Sequence, residues 1–174
     1  MQYLYSYKDF VFLNARPALT SSLRQALDHI KSILPGYPDL EEIQFKAKSI
    51  ITELLTNGFK HAGTETVHII VSVEDDTLII KRTEYGNPFP LPWLNEPLNT
   101  KKCISYDVMH FLYAVNEPGN RVRFLVEDSA EDEPDINDIT EHFGLLIITK
   151  CADEFIYHFD EATKENHFIV KVNL

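Results

Sequence analysis

Between Asp39 and Gly63 the apolar residues recur at helical spacing, and from Val67 to Val73 they alternate, so one long amphipathic helix leads straight into a half-buried strand. Ile43, Ala47, Ile50, Ile51, Leu54, Leu55 and Gly58 make the buried stripe of that helix. Asp39 suits its N-cap, Glu41 and Glu42 suit the positive first turn, and Gly63 suits its end. The turn-like pair Asp75-Asp76 then reverses the chain into a second strand from Leu78 to Arg82, which predicts a β-hairpin.

The rest of the chain is read around that unit. The opening YLYSYKDFVFLNA is aromatic and β-branched and predicts one or two edge strands ahead of Pro17. Leu19, Leu23, Leu27, Ile30 and Leu34 predict a helix from Pro17 to Leu34. Pro88 to Pro97 and the acidic Ser129 to Asp138 read as loops, Cys103 to Val115 as a helix, and Arg121 to Val126 as a strand. A buried helix from Phe143 to Ala152 and strands near Phe155 to Phe159 and His167 to Val172 close the pattern. No repeat and no long linker divides the chain, so residues 1–174 read as one domain with an insertion or lid at about 90–141.

Composition narrows the function. With 44% hydrophobic and 25% charged residues, the 174 residues can build an ordinary core. Sixteen Lys plus Arg against 27 Asp plus Glu leave a net charge of −11, the wrong sign for coating nucleic acid, although a small phosphate ligand can still be held locally by backbone N–H groups. Cys103 and Cys151 are too few for a disulfide framework, no stretch is apolar enough for a membrane span, and the opening lacks a secretory pattern. These features point to the cytoplasm. His68, His110, His158 and His167 lack zinc-ligand spacing, and Trp93 reads as a loop residue capping the core.

Chemistry is concentrated on one helix face. Glu53, Asn57, Lys60 and His61 stand at i, i+4, i+7 and i+8 and share one face, while Ile51, Leu54, Leu55 and Gly58 lie largely on another. A carboxylate can accept a proton, an amide oxygen suits the hard Mg²⁺ ion, and a lysine suits phosphate, which together are the groups phosphoryl transfer needs. Polar residues at this spacing are also common on solvated faces, so the order of further motifs along the chain has to separate the two cases.

That order resembles the GHKL superfamily of ATP-binding domains, which includes gyrase B, sensor histidine kinases and the anti-sigma serine kinases. Glu53 to His61 resembles its N-box; Glu84-Tyr85-Gly86-Asn87-Pro88-Phe89 resembles its first glycine box, Asp-x-Gly-x-Gly-Phe; and His142-Phe143-Gly144-Leu145 with Ile147-Ile148 and Ala152-Asp153-Glu154-Phe155 resembles the closing anti-sigma pattern. The resemblance spans roughly residues 40 to 172. It implies a Bergerat ATP-binding fold of the α+β class: a two-layer α/β sandwich whose mixed, mostly antiparallel sheet is covered on one face by helices.

The resemblance also implies ATP and Mg²⁺ as ligands. Asn57 would meet the Mg²⁺, Glu53 would be the catalytic base, Lys60 or His61 would meet a phosphate, Glu84 would receive the adenine amino group, and Gly86 and Gly144 would line the nucleotide. Glu at position 53, rather than the Asn usual in histidine kinases, resembles the anti-sigma serine/threonine kinases. The partner class implied is therefore a sigma factor or an anti-anti-sigma-like regulator, with a homodimer open.

Three departures bear on the pocket. Pro88 replaces a glycine, fixing φ and removing an N–H donor; His142 adds a ring where the family has glycine; and Glu84 is one methylene longer than Asp. They leave a second expectation, a non-catalytic interaction module on the same scaffold with a degenerate pocket.

Overall fold

The computed structural model describes residues 6–61, 63–91, 96–128 and 142–174. The side chain of His61, Trp93 and the acidic segment 129–141 lie outside the described residues.

The opening strand is β1 (Ser6–Leu13). A short 3-10 turn, Arg16–Ala18, with Pro17 in its first turn, leads into α1 (Leu19–Ile33). The long helix is α2 (Leu40–His61). The hairpin is β2 (Thr66–Glu74) and β3 (Thr77–Tyr85). Its two loop residues, Asp75 and Asp76, both have positive φ (46° and 58°), the conformation that matches a two-residue hairpin to the strand twist. The remaining elements are β4 (Lys101–Tyr106), β5 (His110–Glu117), β6 (Arg121–Asp128), α3 (Phe143–Cys151), β7 (Glu154–Asp160) and β8 (Glu165–Asn173).

The eight strands form one sheet in the order β1-β2-β3-β8-β7-β6-β5-β4, with every pairing antiparallel. The expected parallel component of a mixed sheet does not occur among the described strands. Alternation places Ile69, Val71 and Val73 of β2 opposite Arg82, Ile80 and Leu78 of β3, and these continue across register into Phe168, Val170 and Val172 of β8, while Val67 stands opposite Phe12 of β1. All are buried. On this core α2 contacts β3 and β8, α3 contacts β4 to β7, and α1 contacts β1 and α2. Ile43, Ala47, Ile50, Ile51, Leu54 and Leu55 are the residues of α2 that enter it, each aliphatic larger than alanine contributing on the order of 1.5–3 kcal/mol by leaving water.

An expected helix also fails. Cys103 to Val115 is not a helix but most of β4, a turn and most of β5. Asp107 makes the turn: its Oδ1 accepts the backbone N–H groups of Met109 and His110, both at 2.8 Å. The Met109 N–H, with His110 and Lys150, holds the Asp107 carboxyl well below the usual range. Cross-strand pairing overrode an apolar pattern at helical spacing.

Candidate functional site

Near its C-terminal end α2 turns Glu53, Asn57 and Lys60 toward the start of α3. These three side chains, with Phe89 and residues His142 to Leu145, line a cavity of about 150 Å³. Gly144 fits there because it has no side chain: a Cβ would lie 2.6 Å from Glu53 Oε2 and 3.2 Å from Asn57 Nδ2. Two segments separated by almost ninety residues thus meet at van der Waals limits. His142 occupies the N-cap position of α3 with no side-chain cap, and the N–H groups of Leu145 and Leu146 both bond its carbonyl.

A second cavity, of about 250 Å³, is lined by Glu84 to Pro90 and Asn166. Gly86 has φ 146°, which favours glycine, and its N–H donates to the Lys164 carbonyl at 3.0 Å. The two cavities meet at Phe89, whose buried ring packs against His142, Tyr157 and Phe168. A polar clasp fixes its backbone. The Phe89 N–H donates to Tyr157 Oη (2.8 Å) and to Asn166 Oδ1 (3.0 Å), while Asn166 Nδ2 donates to the Asn87 carbonyl (3.0 Å). Tyr157 also donates to Asn166 Oδ1 at 2.7 Å, and burial pushes its hydroxyl up to about 12, so it remains a donor.

Glu84 is buried and ion-paired through Oε2 with Arg82, two residues back on the same strand face. Burial pulls the Arg82 guanidinium down to about 9, which still leaves it charged at neutral pH. The guanidinium also stands over the Phe168 ring and against Gly58, where a Cβ would lie 3.3 Å from its Nη2. Glu84 therefore faces the second cavity with one oxygen already engaged.

Of the expected site residues, Glu53, Asn57, Lys60 and Gly144 line one cavity, and Glu84 and Gly86 line its neighbour; the His61 side chain lies outside the described residues. Sequence reasoning missed Arg82, Tyr157 and Asn166. Arg82 had a readable signal, since it falls in phase with Leu78 and Ile80 on the core face, with Glu84 two residues on to neutralise it. Among the described residues no group of three His, Cys, Asp or Glu stands together as a metal centre. No protein-family model matches the chain, and no curated protein matches it in sequence.

Proposed function

We propose that the protein is an ATP-Mg²⁺-binding regulatory domain of the GHKL kind, resembling anti-sigma serine/threonine kinases, which transfers a phosphoryl group to a hydroxyl of a protein partner. The observation that carries this reading is the approach of Gly144 to Glu53 and Asn57. That approach puts a carboxylate, a side-chain amide and the N-terminal end of a helix at one small cavity, and Lys60 adds a cation.

Asn57 would supply the protein oxygen for Mg²⁺, which when bound neutralises phosphate charge. The first amides of α3 and the Lys60 ammonium would hold phosphate oxygens. Glu53 would accept the proton of the attacking hydroxyl. Each cavity alone is smaller than the roughly 300–1,000 Å³ usual for ligand pockets, so a nucleotide would have to span both, past Phe89. In that pose Glu84 would meet the base with its Arg82-bound carboxylate.

Glu53→Ala separates the roles. The variant is expected to keep its affinity for a non-hydrolysable ATP analogue and to lose turnover by at least about a hundredfold, the usual size of a general-base contribution. Retained turnover would remove Glu53 from the chemistry. The engagement of Glu84 by Arg82 and the position of Phe89 between the cavities favour a second reading, a non-catalytic interaction module with a closed base end. That reading requires folded protein with neither turnover nor analogue binding.

A further inference from the structure

A third cavity lies on the face of the sheet turned away from the helices. Along β3 the side chains of Lys81, Thr83 and Tyr85 alternate with Ile80, Arg82 and Glu84 of the helix-covered face, so they belong to the outer one. In register, Thr83 stands between His68 of β2 and His167 of β8, Lys81 stands beside Ile70, and Tyr85 stands beside Glu165. With Asp9 of β1 these side chains line a volume of about 280 Å³, larger than either cavity on the helix side. That is room for a small molecule.

The charges in this cavity are unevenly engaged. Asp9 lies 3.1 Å from His68 Nδ1. Glu165 accepts from the hydroxyls of Thr163 (3.2 Å) and Tyr85, and stands 3.5 Å from His167 Nε2. Lys81, in contrast, makes no ion pair with any described residue. Among the described residues no three His, Asp or Glu side chains gather here as a metal centre. The unmatched charge is therefore a cation, with the Ile70 side chain and the Tyr85 ring as apolar surface nearby.

We propose that this outer cavity binds a small organic carboxylate, held by the Lys81 ammonium and the Thr83 hydroxyl, and that His167 takes up a proton as the carboxylate binds. One negative charge suits the space better than two, because Asp9 and Glu165 also line it. The proton follows from the cavity floor, where Thr83 Oγ1 and His167 Nδ1 are 3.2 Å apart and both residues are buried. Assigning the Nε2 hydrogen to the Glu165 side leaves neutral His167 to accept at Nδ1, so the ring engages the Thr83 hydrogen. A protonated ring instead donates from Nδ1 to Thr83 Oγ1, which turns the Thr83 hydrogen toward the ligand. Burial and then Lys81 lower the pKa of His167, Glu165 raises it, His158 lowers it and Asp160 raises it. A carboxylate on Lys81 offsets the ammonium that faces the ring, so binding favours the protonated form. On the opposite wall His68 faces Asp9.

The test is heteronuclear amide NMR of the full chain titrated with benzoate, which stays ionised between about pH 6 and about pH 8, beside the neutral analogue benzyl alcohol. The expected result is saturable shifts at the Thr83 and His167 amides with benzoate and none with benzyl alcohol, at an affinity at least about threefold higher at the lower pH. Lys81→Met is expected to weaken binding at least about tenfold and Lys81→Arg to retain it, with circular dichroism unchanged in both. His167→Gln should flatten the pH dependence, whereas His68→Gln should leave it. No saturable shift at these amides, equal shifts with benzyl alcohol, or full affinity in Lys81→Met would overturn the carboxylate site. Tighter binding of benzylamine than of benzoate would overturn it too, by assigning the cavity to cations. A pH dependence intact in His167→Gln would overturn the coupled proton.

Discussion

Two glycines set the tolerance of the molecule at atomic scale. Replacing Gly144 by alanine would put a methyl group 2.6 Å from Glu53 Oε2, so α2 and α3 would have to part or Glu53 would have to swing away. Gly144→Ala is expected to weaken nucleotide-analogue binding at least about tenfold, or about 1.4 kcal/mol, while the far-ultraviolet circular dichroism stays unchanged. Equal affinity would show that the close approach has no bearing on the ligand. Gly58 presents a contest of two effects. Alanine gains about 1 kcal/mol of helix propensity over glycine, whereas overpacking costs about 1–3 kcal/mol. Its methyl would lie 3.1 Å from Asn14 Oδ1 and 3.3 Å from Arg82 Nη2, and Arg82 is locked by Glu84 and Phe168. Since those atoms have little room to yield, Gly58→Ala is expected to lower Tm; a rise would mean that Arg82 moves freely.

At the scale of elements, β3 carries the least forgiving interaction, the buried Arg82–Glu84 pair. Arg82→Met leaves a buried carboxylate without its cation and is expected to cost about 3–5 kcal/mol in chemical denaturation, most of it regained in Arg82→Met/Glu84→Met. A double variant as unstable as the single would contradict the pairing. That pair also marks how far the sequence could be read. Local patterns reported local structure: the period of α2, the Asp75-Asp76 turn and the apolar run of α3 all stand where their residues put them. Glu53, Asn57 and Lys60 were legible because one helix carries all three. The clasp of Tyr157 and Asn166 on Phe89 was not, because it depends on strands β7 and β8 pairing beside a loop some seventy to eighty residues earlier in the chain. Cys103 to Val115 was misread for a related reason: Ile104, Phe111, Leu112 and Val115 fall at helical spacing in the sequence, and only the pairing with neighbouring strands makes the segment sheet.

Over the whole molecule, the helices and the sheet together set both a pH response and the binding volume. Burial, then Lys8, lowers the pKa of His29, and burial, then Lys81, lowers that of His167. A base lowered by folding binds fewer protons folded than unfolded. Stability therefore rises with pH from the depressed folded values up to the ordinary 6.5, and is lost as pH falls through that window. Tm is expected to drop between about pH 7.5 and about pH 5.5 at fixed salt, and to drop less in His29→Gln/His167→Gln; an equal drop would place the response elsewhere. The central claim concerns the paired cavities that share Phe89, one bearing Asn57 and the other Glu84. Isothermal titration of the protein with a non-hydrolysable ATP analogue, with and without Mg²⁺ and beside Asn57→Ala, tests it most directly. The expected result is binding that requires Mg²⁺ and disappears in Asn57→Ala, whereas unchanged affinity in the variant, or no binding by folded protein at millimolar analogue, would contradict a nucleotide site at Asn57.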